Sequence, residues 1–437
     1  MKIVVGAGLT GLSAAHHLGG DAIVLEREAT PGGLCRSVAQ DGFTFDLTGH
    51  LLHLRRPEIR ELVLSLLPEE KFNRIDRRAF IRSHGVFTPY PFQVNTHGLP
   101  PRVVAECLEG FVEAVKAGEI PPERAEGMSF RDWSLATFGA GVSKHFMFPY
   151  NEKLWLTDLG EMTCEWVSWA VPRPSIHDVI EGALGLSKKS FGYNPSFLYP
   201  KRGGIRILPE ALAAKVPGVR YGAEVTRVDA HRRTVTWREA ASGKVETAPY
   251  THLVSTMPLT TLVAISEGLP PEVPALARSL RYVAVVNVNL GVARAGIADM
   301  HWVYFPEPEY PFYRAGFPAS FSAEAVPEGC SSVYIEIALR PGEAWSEEDL
   351  VARSRAGLIR CGILREDDRI VTRKVFHIAP AYVVYDRERR ARLAPALEAL
   401  RRVGIHSAGR YGAWYYNSME DSLAEGRETA LSILGSS

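Results

Sequence analysis

The chain opens on a short apolar strand, Lys2-Ile3-Val4-Val5, that runs without interruption into Gly6-Ala7-Gly8-Leu9-Thr10-Gly11 and then into the helical stretch Leu12–Leu18. A second apolar run, Asp21–Leu25, follows and ends in Glu26. Strand, glycine-rich turn, helix and strand in this order constrain the fold more than any other feature of the sequence. They specify a parallel βαβ unit of the dinucleotide-binding kind. Gly6 makes the tight turn, Gly8 lets a pyrophosphate approach the backbone, and Gly11 lets the helix pack on the strand. The amides around Leu9 and Thr10, at the positive end of the helix dipole, suit phosphate oxygens. Glu26, with Arg27 beside it, stands where a carboxylate holds the hydroxyl pair of an adenosine ribose. A second string of the same type, Gly139-Ala140-Gly141-Val142-Ser143-Lys144, follows no strand and lacks the third small residue, and it reads as a loop.

Composition sets the class. At 437 residues the chain is long enough for two or three lobes, and 46% hydrophobic against 23% charged residues excludes disorder. Fifty basic residues balance fifty acidic ones, so no global field draws the protein to nucleic acid or to an anionic membrane. An anionic ligand must therefore be met by a few local arginines. No apolar run has the length of a membrane helix and no signal-peptide pattern opens the chain, so the expected location is the cytoplasm. The five cysteines, at 35, 107, 164, 330 and 361, are scattered and odd in number, which fits reduced thiols. The histidines form no HExxH pattern, and no metal site is expected. The sequence is silent on oligomeric state.

Past Glu26 comes Gly32-Gly33-Leu34-Cys35-Arg36. Pro31-Gly32-Gly33 alone is a turn. At this distance from the dinucleotide unit it resembles the extended N-terminal signature of the large FAD-binding superfamily of amine oxidases, protoporphyrinogen oxidases and sugar-nucleotide mutases. The resemblance implies FAD as cofactor, with the backbone at Gly33 and Leu34 and the side chain of Arg36 at the pyrophosphate and ribityl chain. Asp41-Gly42-Phe43-Thr44-Phe45-Asp46-Leu47-Thr48-Gly49-His50 then reads as a strand pair. In such flavoproteins Gly49 and His50 fall beside the isoalloxazine ring. A core histidine bonded to a carbonyl is the competing reading of His50.

The expected fold class is α/β, with a discontinuous Rossmann-like FAD-binding domain formed by 1–75, 201–265 and 386–437. A helical insert, 76–200, and a mixed or antiparallel sheet-rich substrate domain, 266–385, complete it. Tyr221–Val228 reads as one strand carrying an adenine-side contact at Val225, and His252–Ser255 as a buried strand. Gly404–Arg410 reads as a strand running into a turn with Gly409 and Arg410 at the cofactor. A helix over 420–434 brings Met419 and Ser422 to the same place. Tyr282–Leu290 alternates as a sheet strand.

Four stretches are richer in Tyr, Trp, Asn and Arg than ordinary core. They are Pro89–Asn95, Pro149–Trp155 with Trp166, Trp302–Arg314, and Gly409–Asn417. Aromatic faces stack on bases and sugars, and a guanidinium binds phosphate oxygens in pairs. Together with the FAD motifs, these segments resemble the eukaryotic-type UDP-galactopyranose mutases over most of the chain. The resemblance implies substrate contacts at Tyr90, Gln93, Asn151, Trp155 and Asn194. It implies a diphosphate cradle of Tyr304, Arg314, Tyr382 and Tyr416, and His50 against the flavin. One departure stands out. The second diphosphate arginine of these mutases falls on Ala170, and the nearest arginine, Arg173, lies between Pro172 and Pro174. The activity implied is pyranose/furanose interconversion of a nucleotide sugar. Reduced flavin N5 attacks the anomeric carbon while the nucleoside diphosphate is expelled and recaptured, with NADPH a candidate reductant. The alternative is an FAD-dependent oxidoreductase of the amine oxidase or protoporphyrinogen oxidase type, since the shared cofactor fold does not fix the chemistry.

Overall fold

The structure, a computed structural model, describes residues 1–167, 171–187, 191 and 195–435. Lys2–Val5 is flanked on both sides by parallel strands and is buried from Ile3 on, as a central strand of a parallel sheet must be. The sheet has five strands in the order Ile405–Ser407, His252–Ser255, Lys2–Val5, Ala22–Glu26, Val219–Tyr221. Its strands thus come from three distant parts of the chain. Helix Leu9–Leu18 packs against the C-terminal helix Met419–Gly435, and the two bury Leu12, Ala15, Leu423 and Ala430 together. A Cβ at Gly426 would lie 2.3 Å from the Thr10 carbonyl oxygen, so glycine permits this close approach. Ser13 Oγ donates to the Leu423 carbonyl at 2.6 Å and fixes the crossing.

A second, mixed sheet carries seven strands in the order Ile370–Val383, Tyr282–Val292, Ser331–Leu339, Arg314–Gly316, Trp302–Tyr304, Ala79–Ser83, Val86–Pro89. Trp302–Tyr304 pairs parallel to Ala79–Ser83, and the other neighbours are antiparallel. Its last two strands fall inside the expected helical insert, 76–200, which is therefore not helical throughout. Burial alternates along Ala79–Ser83, and His84 and Gly85 both have positive φ (49° and 84°), the backbone of a two-residue hairpin turn. Ser196–Pro200, also in that stretch, pairs with Phe72–Asp76. The helices there are chiefly Pro101–Lys116, Phe130–Val142, Phe148–Trp155 and Ile176–Ala183.

Two further expectations from the sequence differ from the structure. The stretch 139–144 is not a loop. Helix Phe130–Val142 is interrupted at Gly139 (φ 76°) and continues through a π-helical turn, Ser143–Met147. A Cβ at Gly139 would stand 2.0 Å from the Gly110 carbonyl oxygen, and one at Gly141 2.1 Å from that of Glu106. These glycines serve a close helix–helix crossing, a use indistinguishable in sequence from a phosphate turn. The single strand expected at Tyr221–Val228 is two. Gly222 (φ 67°) turns the chain from Val219–Tyr221 at the edge of the parallel sheet into Ala223–Asp229 of a separate four-stranded sheet. Among the described residues no helix is long and apolar enough to cross a membrane.

Candidate functional site

The glycine-rich turn and the second glycine pair meet backbone to backbone. Gly32 N–H donates to the Ala7 carbonyl at 2.8 Å, Gly8 bridges Gly32, and a Cβ at Gly33 would lie 3.4 Å from Gly8 Cα. Gly8 is the N-cap of the first helix and offers no side-chain cap, so the first-turn amides remain for a ligand. Gly409 (φ 82°) abuts this turn, where its Cβ would stand 2.9 Å from Thr10 Oγ1. Gly6 and Gly11 are equally constrained, a Cβ on Gly11 falling 1.9 Å from the Gly6 carbonyl oxygen. The result is a cradle that side chains would fill, which fits a dinucleotide.

Glu26 is buried, but both its oxygens already accept backbone amides, Ala7 at 2.6 Å and Glu28 at 2.9 Å. It therefore braces the turn, and any ribose contact must use its remaining lone pairs. Arg36 donates to the Gly33 carbonyl at 2.8 Å and to Glu28 at 2.9 Å, fixing the second glycine pair. Arg27 is exposed and pairs with Glu28 at 3.3 Å. Leu34 and Val225 are half-buried against two different cores. Met419 is buried where the C-terminal helix begins, and Ser422 Oγ caps the Ser418 carbonyl at 3.0 Å.

Gly409 abuts the cradle, and its neighbour Arg410 lies within electrostatic reach of His50. His50 Nδ1 donates to the Thr48 carbonyl at 2.9 Å, which leaves Nε2 as an acceptor. Burial first, and the nearby Arg410 and Arg314 guanidinium groups, hold its pKa down to about 4 against that bond, so the ring is neutral at pH 7. Gly49 passes under Tyr334, whose hydroxyl would be 2.4 Å from a Cβ there. Arg314 is locked by Glu336, a residue that motif reading missed. Arg314 Nε and Nη2 donate to the two carboxylate oxygens, each at 2.8 Å, and Thr48 Oγ1 donates to the same carboxylate at 3.0 Å. Burial opposes both charges. Even so, each partner moves the other, holding Glu336 below and Arg314 above its ordinary value. The signal was present in Ser331–Leu339, where Glu336 is the one charge in an apolar strand. Nη1 of Arg314 has no partner among the described residues.

Tyrosines wall this space. Tyr304 packs between Tyr90 and Tyr150, with ring centres 5.5 and 5.3 Å away. Tyr382 and Tyr416 stack at 6.1 Å, and the Arg410 guanidinium sits 4.5 Å from the Tyr416 ring. Arg410 also donates to the carbonyls of Asn417 (2.9 Å) and Ala381 (3.3 Å) and has no carboxylate partner among the described residues. Arg77, unmarked by any motif, lies 5.0 Å over Tyr90.

The other substrate residues expected from sequence form a second layer. Trp155 is buried beneath Tyr382 at 5.6 Å, and its indole N–H donates to Asn151 Oδ1 at 3.3 Å. Asn151 Nδ2 in turn donates to the Met147 carbonyl at 2.7 Å. Gln93, 1% exposed, donates to the Pro172 carbonyl at 2.8 Å and braces the segment bearing Arg173. Arg173 is exposed, 5.7 Å over Trp133, in irregular chain that precedes the capped helix Ile176–Ala183. Asn194 and Ala170 lie outside the described residues.

A glycine cradle with an uncapped helix end is the binding site of a dinucleotide-binding protein of the flavin type, to which the family comparison assigns it. The description "Flavin containing amine oxidoreductase" matches residues 9–434, and the chain belongs to that family. The structure is similar to that of a reduced UDP-galactopyranose mutase, with a TM-score of 0.91 and 28% identity, covering 100% of this chain and 94% of the other. It also resembles a fatty acid isomerase from P. acnes (TM-score 0.66, 13% identity, 99% and 98% covered), a likeness of fold alone. In sequence, protoporphyrinogen oxidase 2, chloroplastic/mitochondrial, of Arabidopsis thaliana is 26% identical over 237 residues, 48% of this chain. That match spans about half the relative's length, 46%.

Proposed function

We propose that the protein is an FAD-dependent nucleotide-sugar mutase that interconverts pyranose and furanose forms, with FAD active in its reduced state and NADPH as reductant. The observation that carries this reading is the cluster of Arg314, Tyr304, Tyr382 and Tyr416 near His50. The full-length similarity to a reduced UDP-galactopyranose mutase supports it. When bound, the reduced flavin supplies the nucleophile, and the protein contributes position and electrostatics.

Gly6, Gly8, Gly11 and Gly33 admit the pyrophosphate, and Glu26 and Arg36 hold the two glycine turns at their mutual spacing. Glu336 fixes the plane of Arg314 so that Nη1 meets a phosphate oxygen of the departing group. The hydroxyls of Tyr304, Tyr382 and Tyr416 supply neutral donors around it. Neutral His50 presents an acceptor to the cofactor side without adding a charge. Tyr90, with Trp155 and Asn151 behind Tyr382, shapes the sugar-nucleotide pocket, and Arg173 belongs to its outer rim. An oxidoreductase of the protoporphyrinogen oxidase type is the second reading, favoured by the partial match to the plant enzyme.

Titrating reduced holoprotein with UDP tests the mutase reading. Arg314→Ala should weaken UDP binding at least tenfold, as expected for a lost charge-assisted bond of about 1.5–3 kcal/mol. Unchanged affinity would place the nucleotide elsewhere.

A further inference from the structure

Tyr304 and Arg314 stand on two short strands joined by the loop 305–313, whose shape decides whether they face the same ligand. The loop carries its own aromatic packing, Phe305 on Phe312 at 4.7 Å, and Phe305 N–H donates to the Tyr313 carbonyl at 2.9 Å. Across from it runs the helix Phe148–Trp155, which supplies Tyr150 to the wall and Asn151 and Trp155 to the layer behind it. One side chain crosses between them. Lys153 Nζ donates to the carbonyls of Phe305 (2.7 Å), Glu307 and Phe312 (3.4 Å).

An ammonium has three N–H donors, and here each finds a main-chain carbonyl of one loop. Lys153 forms no ion pair among the described residues; the three carbonyl dipoles meet its charge directly, and the Glu309 and Glu307 carboxylates attract it from farther off. Phe305 directly follows Tyr304, and Phe312 precedes Arg314 by two positions. A shift of the loop therefore moves both residues together, relative to Tyr150 on the helix. An apolar side chain here would leave the carbonyls of buried Phe305 and Phe312 and of half-buried Glu307 without this donor.

We infer that Lys153 is a positioning residue of the anion cradle: its ammonium ties the helix of Tyr150, Asn151 and Trp155 to the Tyr304–Arg314 hairpin and sets where that hairpin meets the phosphates. The inference rests on the mutase reading for the choice of probe.

The test compares wild-type, Lys153→Gln and Lys153→Met holoproteins by UDP titration in the reduced state, with amide hydrogen exchange over 304–314. UDP affinity should fall about tenfold in the Met variant, with Gln between, while flavin content stays that of wild type. Exchange should quicken in that segment. A merely structural lysine would lower the melting temperature and leave the dissociation constant of folded protein unchanged, and that result overturns the inference. If Met gives no folded holoprotein, Gln decides by the same criterion. Wild type that binds no UDP contradicts the mutase reading instead, and the Lys153 claim then stands or falls on whether exchange over 304–314 changes.

Discussion

Arg314 and Glu336 face each other directly across neighbouring antiparallel strands, and Arg314 donates two hydrogen bonds of 2.8 Å to the carboxylate, which is 1% exposed. Neither has another counter-charge among the described residues. The pair is therefore both the orienting device of the proposed cradle and a buried electrostatic liability.

Breaking the pair from one side should be costly. Glu336→Ala strands a buried guanidinium, and a loss of about 3–5 kcal/mol in urea-unfolding stability is expected. Glu336→Gln, which keeps an acceptor, should lose less. Because the folded value of Glu336 is depressed, its stabilisation is present above the unfolded pKa of 4.5 and lost as pH falls through the lower folded value. The Gln variant should lack that acid-side loss, and equal acid sensitivity in both proteins would show that the pair contributes nothing.

Acid should also destabilise the fold at milder pH. Burial holds His50, His53, His301 and His406 down to about 4, from 6.5. Between pH 6.5 and 4 the unfolded chain binds more protons at these sites, so stability falls as pH falls. Asp46 works the other way, since burial raises it to about 6 from 3.8 and the folded state takes up its proton first. His16, His84 and His252 are lowered as well and the Glu425 carboxyl is raised, each chiefly by burial, so seven groups against two give net destabilisation from pH 7 to 5. His406→Asn should shallow that slope, as read from urea midpoints at each pH. A flat profile would refute the proton count.

Two glycines separate cofactor binding from folding. Gly8 has φ −74°, and the nearest atom to an added Cβ is Gly33 Cα at 3.9 Å, so Gly8→Leu should fold and lose flavin. Gly11→Ala, 1.9 Å from a carbonyl oxygen, should instead lower the yield of folded protein. Absorbance at flavin wavelengths beside circular dichroism distinguishes them, and a fully yellow Gly8→Leu protein would contradict the cradle.

The cofactor half of this protein was legible because its chemistry is local. Gly6 to Gly11 and Gly32-Gly33 carry their constraint in consecutive residues. The substrate half depends on contacts made over long sequence distances. Nothing near Arg314 in sequence announces Glu336, and Thr48 joins that pair from 288 residues away. Gln93, Asn151 and Trp155 have the residue types of ligand contacts but spend their hydrogen bonds on the protein. Gly139 and Gly141 mimicked a phosphate turn because close helix packing and phosphate approach both demand a missing Cβ.

The decisive measurement is product analysis on chemically reduced protein incubated anaerobically with UDP-galactopyranose. The account predicts UDP-galactofuranose at ring-isomer equilibrium with no net consumption of the reduced flavin. Absence of any furanose, together with reduction of the oxidised flavin by an amine or a porphyrinogen in a parallel anaerobic incubation of the oxidised protein, would contradict it.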